Sequence, residues 1–301
     1  MKLTMAKLAA AIQEGRGTGT GDAYQPWIAI TRRTSSPHSN LNVGPVPYLK
    51  RLTHFLSRAE RQFGLYLWWL GANDVREQYP LWPWPHLHPE AQIAPRAEAR
   101  YHPGTQAIAE EAGITLHSYP GTRIAHVLTI DMIATVPQSM NPKRLIGISC
   151  KPKSIVEAGL PTDRDMERIE LDRRYCVVGD IPFRLAHPEQ LPPKLLVGLH
   201  AISPIERRAT LMKIVHSEPY QKYVDLLQCT AYDRPAWIAS KEAGARVGWS
   251  VPEEQRAFRI AIWHQHVDHD LSRGITTTRP LVTGGMALRE KGRQKWFGEA
   301  T

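Results

Sequence analysis

The sequence has few cysteines, no long apolar run and no signal-peptide pattern. Cys150, Cys176 and Cys229 form no Cys-x-x-Cys pair, so neither a zinc ribbon nor a disulfide framework is indicated. No apolar run approaches the roughly 20 residues that a membrane-spanning helix requires, and the first residues lack the apolar core of a signal peptide. We therefore expect a protein of a reducing, cytoplasmic compartment that has no membrane partner.

The sequence also lacks a phosphate-binding loop, although it contains the glycine-rich segment "EGRGTGTGD" (residues 14–22). No Gly-Lys-Ser/Thr follows these glycines, and their spacing is not Gly-x-Gly-x-x-Gly. They also come after a short predicted helix (residues 3–12) rather than after a strand. We interpret residues 1–25 as a flexible N-terminal arm.

Positive charge is in excess over negative charge. The 301 residues contain 38 lysines and arginines against 29 aspartates and glutamates, which gives a formal net charge of +9. The hydrophobic content of 42% and the charged content of 22% are typical of a soluble globular protein. The charge favours a polyanionic partner, and nucleic acid is the leading candidate.

The length permits two domains, and a proline-rich stretch suggests where they meet. The stretch "AHPEQLPPK" (residues 186–194) is typical of a linker. We therefore predict a first domain over residues 1–187 and a second, mainly helical domain over residues 188–301.

The stretch "LSRAERQFGLYLWWLG" (residues 56–71) predicts a helix. Ser57 and Glu60 form a capping box at its start, and a glycine ends it. A strand with alternating faces is predicted over residues 75–81, followed by an insertion or long loop rich in proline, tryptophan and histidine (residues 82–95). The apolar stripe of the helix comprises Phe63, Leu67 and Leu70.

Two apolar strands, residues 126–136 and 144–151, are separated by a short turn and predict a hairpin. If the turn centres near Met140, Asp131 pairs with Ser149. The side-chain period of two puts the apolar residues of both strands on one face, namely Leu128, Ile130, Met132, Ala134, Ile146, Ile148 and Cys150.

The opposite face of the predicted hairpin combines an acid with a lysine. Asp131 and Lys151 share this face with Thr129 and Ser149. A carboxylate inside an apolar strand is costly unless it is paired or binds a metal. Lys151 alone is explained equally well as a charge at a strand end. An active site and a solvated face with a salt bridge therefore both remain open from the residues alone.

A further helix (residues 162–178) and strand (residues 181–186) complete the first domain. The element order is then helix, three strands, helix, strand, which is the core order of the α/β restriction-endonuclease-like, or PD-(D/E)xK, fold. Three further acids of this domain, Glu77, Glu170 and Asp172, are expected to support the site or to pair with Arg76, Arg173 and Arg174.

Four motifs in this order resemble the TnsA family, the endonuclease subunits of heteromeric cut-and-paste transposases. They are "EGRGTGTGDAYQPWI", "FLSRAERQFGLYLWW" followed by "DVREQYPL", the aspartate of "LTIDMI", and "ISCKP" followed by "IELDRRY". Together they span about the first 185 residues.

The resemblance implies a metal-dependent DNA endonuclease with Glu60, Asp131 and Lys151 as catalytic residues. Glu60, Asp131 and the backbone carbonyl of Cys150 are implied as ligands of Mg²⁺ or Mn²⁺, which prefer oxygen. Two carboxylates with a metal activate water and shield a phosphodiester, and the ammonium offsets developing charge. Ser149 departs from the Glu, Asp or Gln that usually stands two positions before the lysine, and a serine hydroxyl is a poor metal ligand.

The resemblance also implies partners and a place of action. These are the DNA of transposon ends, a DDE transposase (TnsB-like) that cuts the 3′ ends, and an AAA+ regulator (TnsC-like), in a prokaryotic, nucleoid-associated setting. The expected reaction is cleavage of the 5′ ends of the transposon. The alternatives are a standalone restriction or repair nuclease of the same fold and a catalytically silent DNA-binding adaptor.

For the second domain, the resemblance favours a winged-helix-like fold. Two helices flank a glycine-containing turn, with Ser250 as N-cap of the second, and residues 274–282 are a candidate wing. In a winged-helix domain, Arg256 and Arg259 are expected to face DNA phosphates. The alternative is that this domain docks another protein. The histidines of "WHQHVDHD" (residues 263–270) have partial metal-ligand spacing but no fourth ligand, and a polar helix face is the preferred interpretation.

Overall fold

The computed structural model describes residues 4–31, 42–94, 100–139, 144–152 and 163–298. The helices are α1 (Met5–Gln13), α2 (Arg58–Leu70), α3 (Thr105–Ala112), α4 (Asp163–Val178), α5 (Pro193–Ile202), α6 (Arg208–Val215), α7 (Glu218–Gln228), α8 (Ala236–Arg246), α9 (Val251–His264) and α10 (Gly285–Phe297). The strands are β1 (Asn42–Gly44), β2 (Thr53–Phe55), β3 (Asp74–Leu81), β4 (His86–Leu87), β5 (Tyr101–His102), β6 (Leu128–Thr135), β7 (Leu145–Cys150) and β8 (Phe183–Ala186).

A four-stranded mixed sheet in the order β3-β6-β7-β8 is the centre of the α/β part of the chain. The first two pairings are antiparallel and β7–β8 is parallel. The predicted sequence of helix, three strands, helix and strand is present as α2, β3, β6, β7, α4 and β8. Between the first two of these strands, the predicted insertion contains β4, and the chain after it forms β5 and α3.

Helix α2 packs on one side of the sheet and begins and ends as predicted. Ser57 is its N-cap and accepts a hydrogen bond from the Glu60 N–H, while Gly71 ends it with φ 104°. Gly64 lies so close to Phe55 and Met132 that a methyl group at this position would collide with the Phe55 ring. The close approach places the start of α2 beside β6.

Helix α4 covers the other side of the sheet. Its buried Leu171, Tyr175 and Cys176 pack in one cluster with Ile130 and Ile133 of β6. The start predicted at residue 162 lies outside the described residues. A sheet held between two helices in this way buries side chains of the central strands on both faces.

The hairpin of β6 and β7 has the predicted register, but its ladder is shorter than predicted. Pairing runs from Thr135 opposite Leu145 to Met132 opposite Ile148 and stops there. The predicted pair of Asp131 with Ser149 is therefore wrong, because the strands separate one residue earlier. The turn around residue 140 lies partly outside the described residues.

The predicted single apolar face of β6 is also wrong. Met132 and Ala134 pack in the cluster of α2, whereas Ile130 packs in the cluster of α4. The alternation of side chains therefore changes between residues 130 and 132, which is where the strands separate.

The segment predicted as a flexible arm packs against β3 instead. Tyr24 is buried, and its hydroxyl donates to the Glu77 carbonyl at 2.9 Å. The backbone N–H of Trp27 donates to the Gln78 carbonyl at 3.2 Å. These bonds cover the free edge of β3.

The carboxyl-terminal half is helical and shares its core with the amino-terminal half. Buried side chains of α5, α9 and α10 belong to the same apolar cluster as α2, and Arg293 Nε donates to the Leu70 carbonyl at 2.7 Å. Helices α8 and α9 form the predicted helix–turn–helix, and Glu253 accepts from the Ser250 N–H. Residues 274–282, predicted as a short wing, contain no strand. Within the described residues, no helix has the length and apolarity needed to cross a membrane.

Three histidines between β3 and β6 contact the end of α4; His88 and His102 are buried and His86 is half-buried. His86 contacts the Tyr175 hydroxyl at 2.8 Å, His102 contacts the Tyr175 carbonyl at 2.9 Å, and His88 contacts the Gly179 carbonyl at 2.6 Å. Burial lowers the pKa of all three, that of His102 to about 4. The folded protein therefore holds these rings in the neutral form at neutral pH.

These histidines predict a loss of stability in mild acid. The unfolded chain binds protons at histidine below a pH of about 6.5, so the free energy of unfolding falls from there towards pH 4. His102→Gln removes one of the titrating groups, and we expect the slope of that free energy against pH to decrease by up to about 1.4 kcal/mol per pH unit. Urea unfolding between pH 7.5 and 4.5 measures it, with the exposed His117→Gln as control. An unchanged slope in His102→Gln would show that burial of this ring does not couple to folding.

Candidate active site

The structure brings the three predicted residues together from three separate elements. Glu60 lies in the first turn of α2, Asp131 in β6, and Lys151 directly after β7. Lys151 Nζ is 3.8 Å from Asp131 Oδ2, and the Asp131 charge contributes to a raised pKa of Glu60. One place in the fold therefore brings together the start of α2, the end of β6 where the hairpin strands separate, and the residue that follows β7.

The Glu60 carboxylate is buried and held by three hydrogen-bond donors. Its Oε2 accepts from the Leu56 N–H and from Gln78 Nε2, each at 2.9 Å, and its Oε1 accepts from the Ser57 hydroxyl at 2.9 Å. The predicted capping box is present in altered form, because the carboxylate binds the N–H of Leu56 rather than that of Ser57. The capping interpretation and a role in the site are compatible, since one acceptor position on Oε1 is left over.

Burial of Glu60 has an electrostatic cost. Burial first, and the nearby Asp131 second, raise the pKa of Glu60 to about 7. The charges of the two carboxylates repel each other, and Lys151 offsets that repulsion only in part, because the pKa of Glu60 stays raised in its presence. The arrangement therefore favours a cation.

At the end of the hairpin, the Asp131 side chain takes the place of a backbone acceptor of β6. Its Oδ2 accepts from the Cys150 N–H at 2.6 Å, a group that points towards β6 beyond the last pair of the ladder. The N–H and C=O of one strand residue point to the same neighbouring strand. The Cys150 carbonyl is therefore directed to the side of Asp131, as the predicted ligand set requires.

Cys150 itself offers only its backbone. Its thiol packs in the α2 cluster, and burial, with the Asp131 charge, raises its pKa well above the ordinary value. A thiol of that kind remains protonated and is a poor metal ligand.

The Lys151 side chain is directed to Asp131 rather than into solvent. Its side chain is 20% exposed, and its ammonium faces the Asp131 carboxylate. Its backbone N–H donates to the Ala186 carbonyl at 2.8 Å, which continues the parallel pairing of β7 with β8 past the last strand residue. The sheet thus fixes the start of this side chain.

Ser149 does not lie with Asp131 and Lys151 as predicted. It is fully buried, and its hydroxyl donates to Asp172 Oδ2 on α4 at 3.2 Å. Asp172 is also buried, and Arg168 pairs with it at 3.0 Å. Burial raises the pKa of Asp172 to about 6, while Arg168 opposes that shift. Ser149, at the position where an acid was expected, therefore hydrogen-bonds to α4 and does not face Asp131.

Glu77 and Glu170, two further acids considered in the sequence analysis, form ion pairs with arginines. Glu77 is fully buried and pairs with Arg51, at 2.6 Å and 2.9 Å, rather than with Arg76. Glu170 pairs with Arg173 and Arg174 as predicted, and these hydrogen bonds lower its pKa to about 2. Neither acid belongs to the cluster around Asp131.

Gln78 belongs to the site, although the sequence prediction did not include it. It lies in β3 between the residues that pair with Met132 and Ile130, so it is level with Asp131, where the β3–β6 pairing is interrupted; it is fully buried and has φ 49°. A left-handed backbone costs a residue other than glycine on the order of 1–2 kcal/mol. The only signal in the sequence is a run of three polar residues, Arg76 to Gln78, in a strand predicted to alternate.

The donor set fits a hard divalent cation better than a transition metal. Within the described residues, no group of three or more His, Cys, Asp or Glu side chains is arranged to hold a metal. Two carboxylates and one backbone carbonyl leave room for the waters that Mg²⁺ retains. The histidines after α9 have other contacts: His266 binds the Tyr220 hydroxyl and His269 binds the Gly274 carbonyl.

Comparison with known proteins agrees with the motifs. No family model matches the chain. The chain is similar to the transposon Tn7 transposition protein TnsA of Escherichia coli, with 29% identity over 189 residues. The alignment covers 62% of this chain and 58% of that protein, so it spans less than two thirds of the relative's length. The predicted resemblance to the TnsA family is thereby confirmed.

Proposed function

We propose that the chain is a DNA endonuclease of a cut-and-paste transposon and cleaves the 5′ ends of that element. The observation that carries the proposal is the meeting of Glu60, Asp131 and Lys151, each positioned by a different element of the fold. The similarity to a transposition protein supports the biological setting.

The proposed cofactor is Mg²⁺, with Mn²⁺ as a substitute. Glu60, Asp131 and the Cys150 carbonyl would hold it, because they are the oxygen ligands at the site. The metal would supply an activated water and shield the negative charge of the scissile phosphate. The raised pKa of Glu60, to about 7, supports this choice, since a bound cation favours the ionised carboxylate.

Lys151 contributes a positive charge that the protein itself supplies. The ammonium lies 3.8 Å from Asp131 Oδ2, which keeps it beside the carboxylates while it remains partly exposed. At this place it offsets charge that develops on the phosphate oxygens, and it positions the attacking water and makes that water more acidic.

The proposed partners are transposon-end DNA, a DDE transposase that cuts the 3′ ends, and an AAA+ regulator. The net charge of +9 supports binding to DNA. A standalone restriction or repair nuclease would use the same three residues. Coupling of 5′ cleavage to a transposase that cuts the other strand distinguishes the two activities.

Asp131→Asn should abolish cleavage without unfolding the protein. The amide oxygen still accepts from the Cys150 N–H, so the end of the hairpin is retained, but the charge that binds a cation is lost. We expect a fall in the cleavage rate of about a hundredfold or more. The assay is Mg²⁺-dependent nicking of a transposon-end duplex, and Glu170→Gln is the control for loss of an acid outside the cluster. Normal nicking by folded Asp131→Asn would remove Asp131 from the site.

Lys151→Ala should separate a catalytic charge from a structural one. We expect a rate reduced by roughly a hundredfold, with DNA binding and thermal stability close to those of the unchanged protein. Lys151→Arg should not restore the rate, because a guanidinium is broader and does not give up a proton at neutral pH.

The matched control is Lys222→Ala, which removes the same charge from an exposed position on α7. The assay is 5′-end cleavage in a complex whose partner still cuts the 3′ ends. Equal 5′ cleavage by Lys151→Ala and Lys222→Ala would leave Lys151 as a charge at a strand end. Absence of 5′ cleavage by the unchanged protein in that complex would favour the adaptor.

A further inference from the structure

Gln78 combines a left-handed backbone with a buried side chain in the middle of a strand. It is fully buried in β3 with φ 49°. Along β3, Val75 packs in the α2 cluster, whereas Tyr79 and Leu81 pack in the α4 cluster. The alternation of the strand therefore changes at Gln78, and the left-handed conformation turns its side chain to the start of α2.

The Gln78 carboxamide is fixed at both ends. Nε2 donates to Glu60 Oε2 at 2.9 Å, and Oε1 accepts from the Thr129 hydroxyl at 2.9 Å. The Thr129 bond decides which end of the amide faces Glu60, because only the NH₂ group can donate to the carboxylate. A chain of hydrogen bonds thus runs from β6 through β3 to α2.

We propose that Gln78 is a positioning residue that holds the Glu60 carboxylate in the orientation needed to bind a divalent cation. The inference rests on the proposed function and adds to it a residue outside the predicted set of Glu60, Asp131 and Lys151. Donors that orient a metal-binding carboxylate typically change metal affinity by about 10- to 100-fold when they are removed.

The geometry explains why a glutamine serves here. With the Gln78 donor in place, both lone pairs of Glu60 Oε2 are occupied, by the Leu56 N–H and by Gln78. The acceptor position that remains is on Oε1, whose other bond is to Ser57. Without Gln78 the carboxylate rotates more freely about its last torsion, which is a broad one.

The test compares volume-matched variants of the full-length protein. Gln78→Met keeps the size of the side chain but removes both hydrogen bonds, and Thr129→Val removes only the donor that orients the amide. Gln265→Met is the control, because Gln265 is also buried, also has positive φ (59°), and its amide nitrogen bonds backbone carbonyls, those of Ile262 and His269.

Mn²⁺ binding to the DNA-free protein, measured by isothermal titration calorimetry, is the first readout, and thermal unfolding is the second. We expect affinity for Mn²⁺ to fall by about 10- to 100-fold in Gln78→Met and by less in Thr129→Val, with no change in Gln265→Met. The Mg²⁺ concentration for half-maximal cleavage should rise by the same factors, and saturating Mg²⁺ should restore much of the rate.

The outcomes separate this inference from the function on which it rests. Unchanged Mn²⁺ affinity in folded Gln78→Met overturns the positioning role and leaves the nuclease proposal standing. If Gln78→Met does not fold, Thr129→Val decides, and unchanged affinity there overturns the inference. If the unchanged protein binds no Mn²⁺ and cleaves no DNA, the proposed function itself fails.

Discussion

The hydrogen bond from the Cys150 N–H to Asp131 Oδ2, 2.6 Å long, holds the candidate site together. It forms where the β6–β7 ladder ends, so the carboxylate accepts the hydrogen bond that a backbone carbonyl of β6 would accept if the ladder continued. Because Asp131 is tied to the backbone of β7, it lies beside Lys151, the next residue along. The separation of the strands and the position of the acid are therefore one structural feature.

The carboxylates near that bond differ in whether a positive side chain pairs with them. Asp131 faces the Lys151 ammonium, and Asp172 has Arg168 at 3.0 Å. Glu60 has hydrogen-bond donors but no ion pair among the described residues, and burial together with Asp131 raises its pKa to about 7 although Lys151 opposes that shift. Such a carboxylate gains most from a divalent cation, which links the energetics of the folded chain to the proposed chemistry.

The sequence predicted the parts of the fold that local signals determine. The Ser57 cap, the apolar stripe of α2 and the register of the hairpin follow from spacing alone. Spacing left Asp131 and Lys151 open between an active site and a solvated face, and Glu60 joined them only through the resemblance to the TnsA family. The sequence did not predict where the strands separate, because that depends on a side chain that replaces a backbone partner. The left-handed Gln78 and the packed amino-terminal segment were missed for a similar reason, since both are set by tertiary contacts.

We propose that Glu60, Asp131 and the Cys150 carbonyl form one binding site for a divalent cation. The most direct measurement is anomalous diffraction from crystals of the protein grown or soaked with Mn²⁺. We expect an anomalous peak in contact with an oxygen of Glu60, an oxygen of Asp131 and the Cys150 carbonyl, and no such peak in Asp131→Asn. A peak bound elsewhere, with none between these three groups, would show that they do not form a metal site.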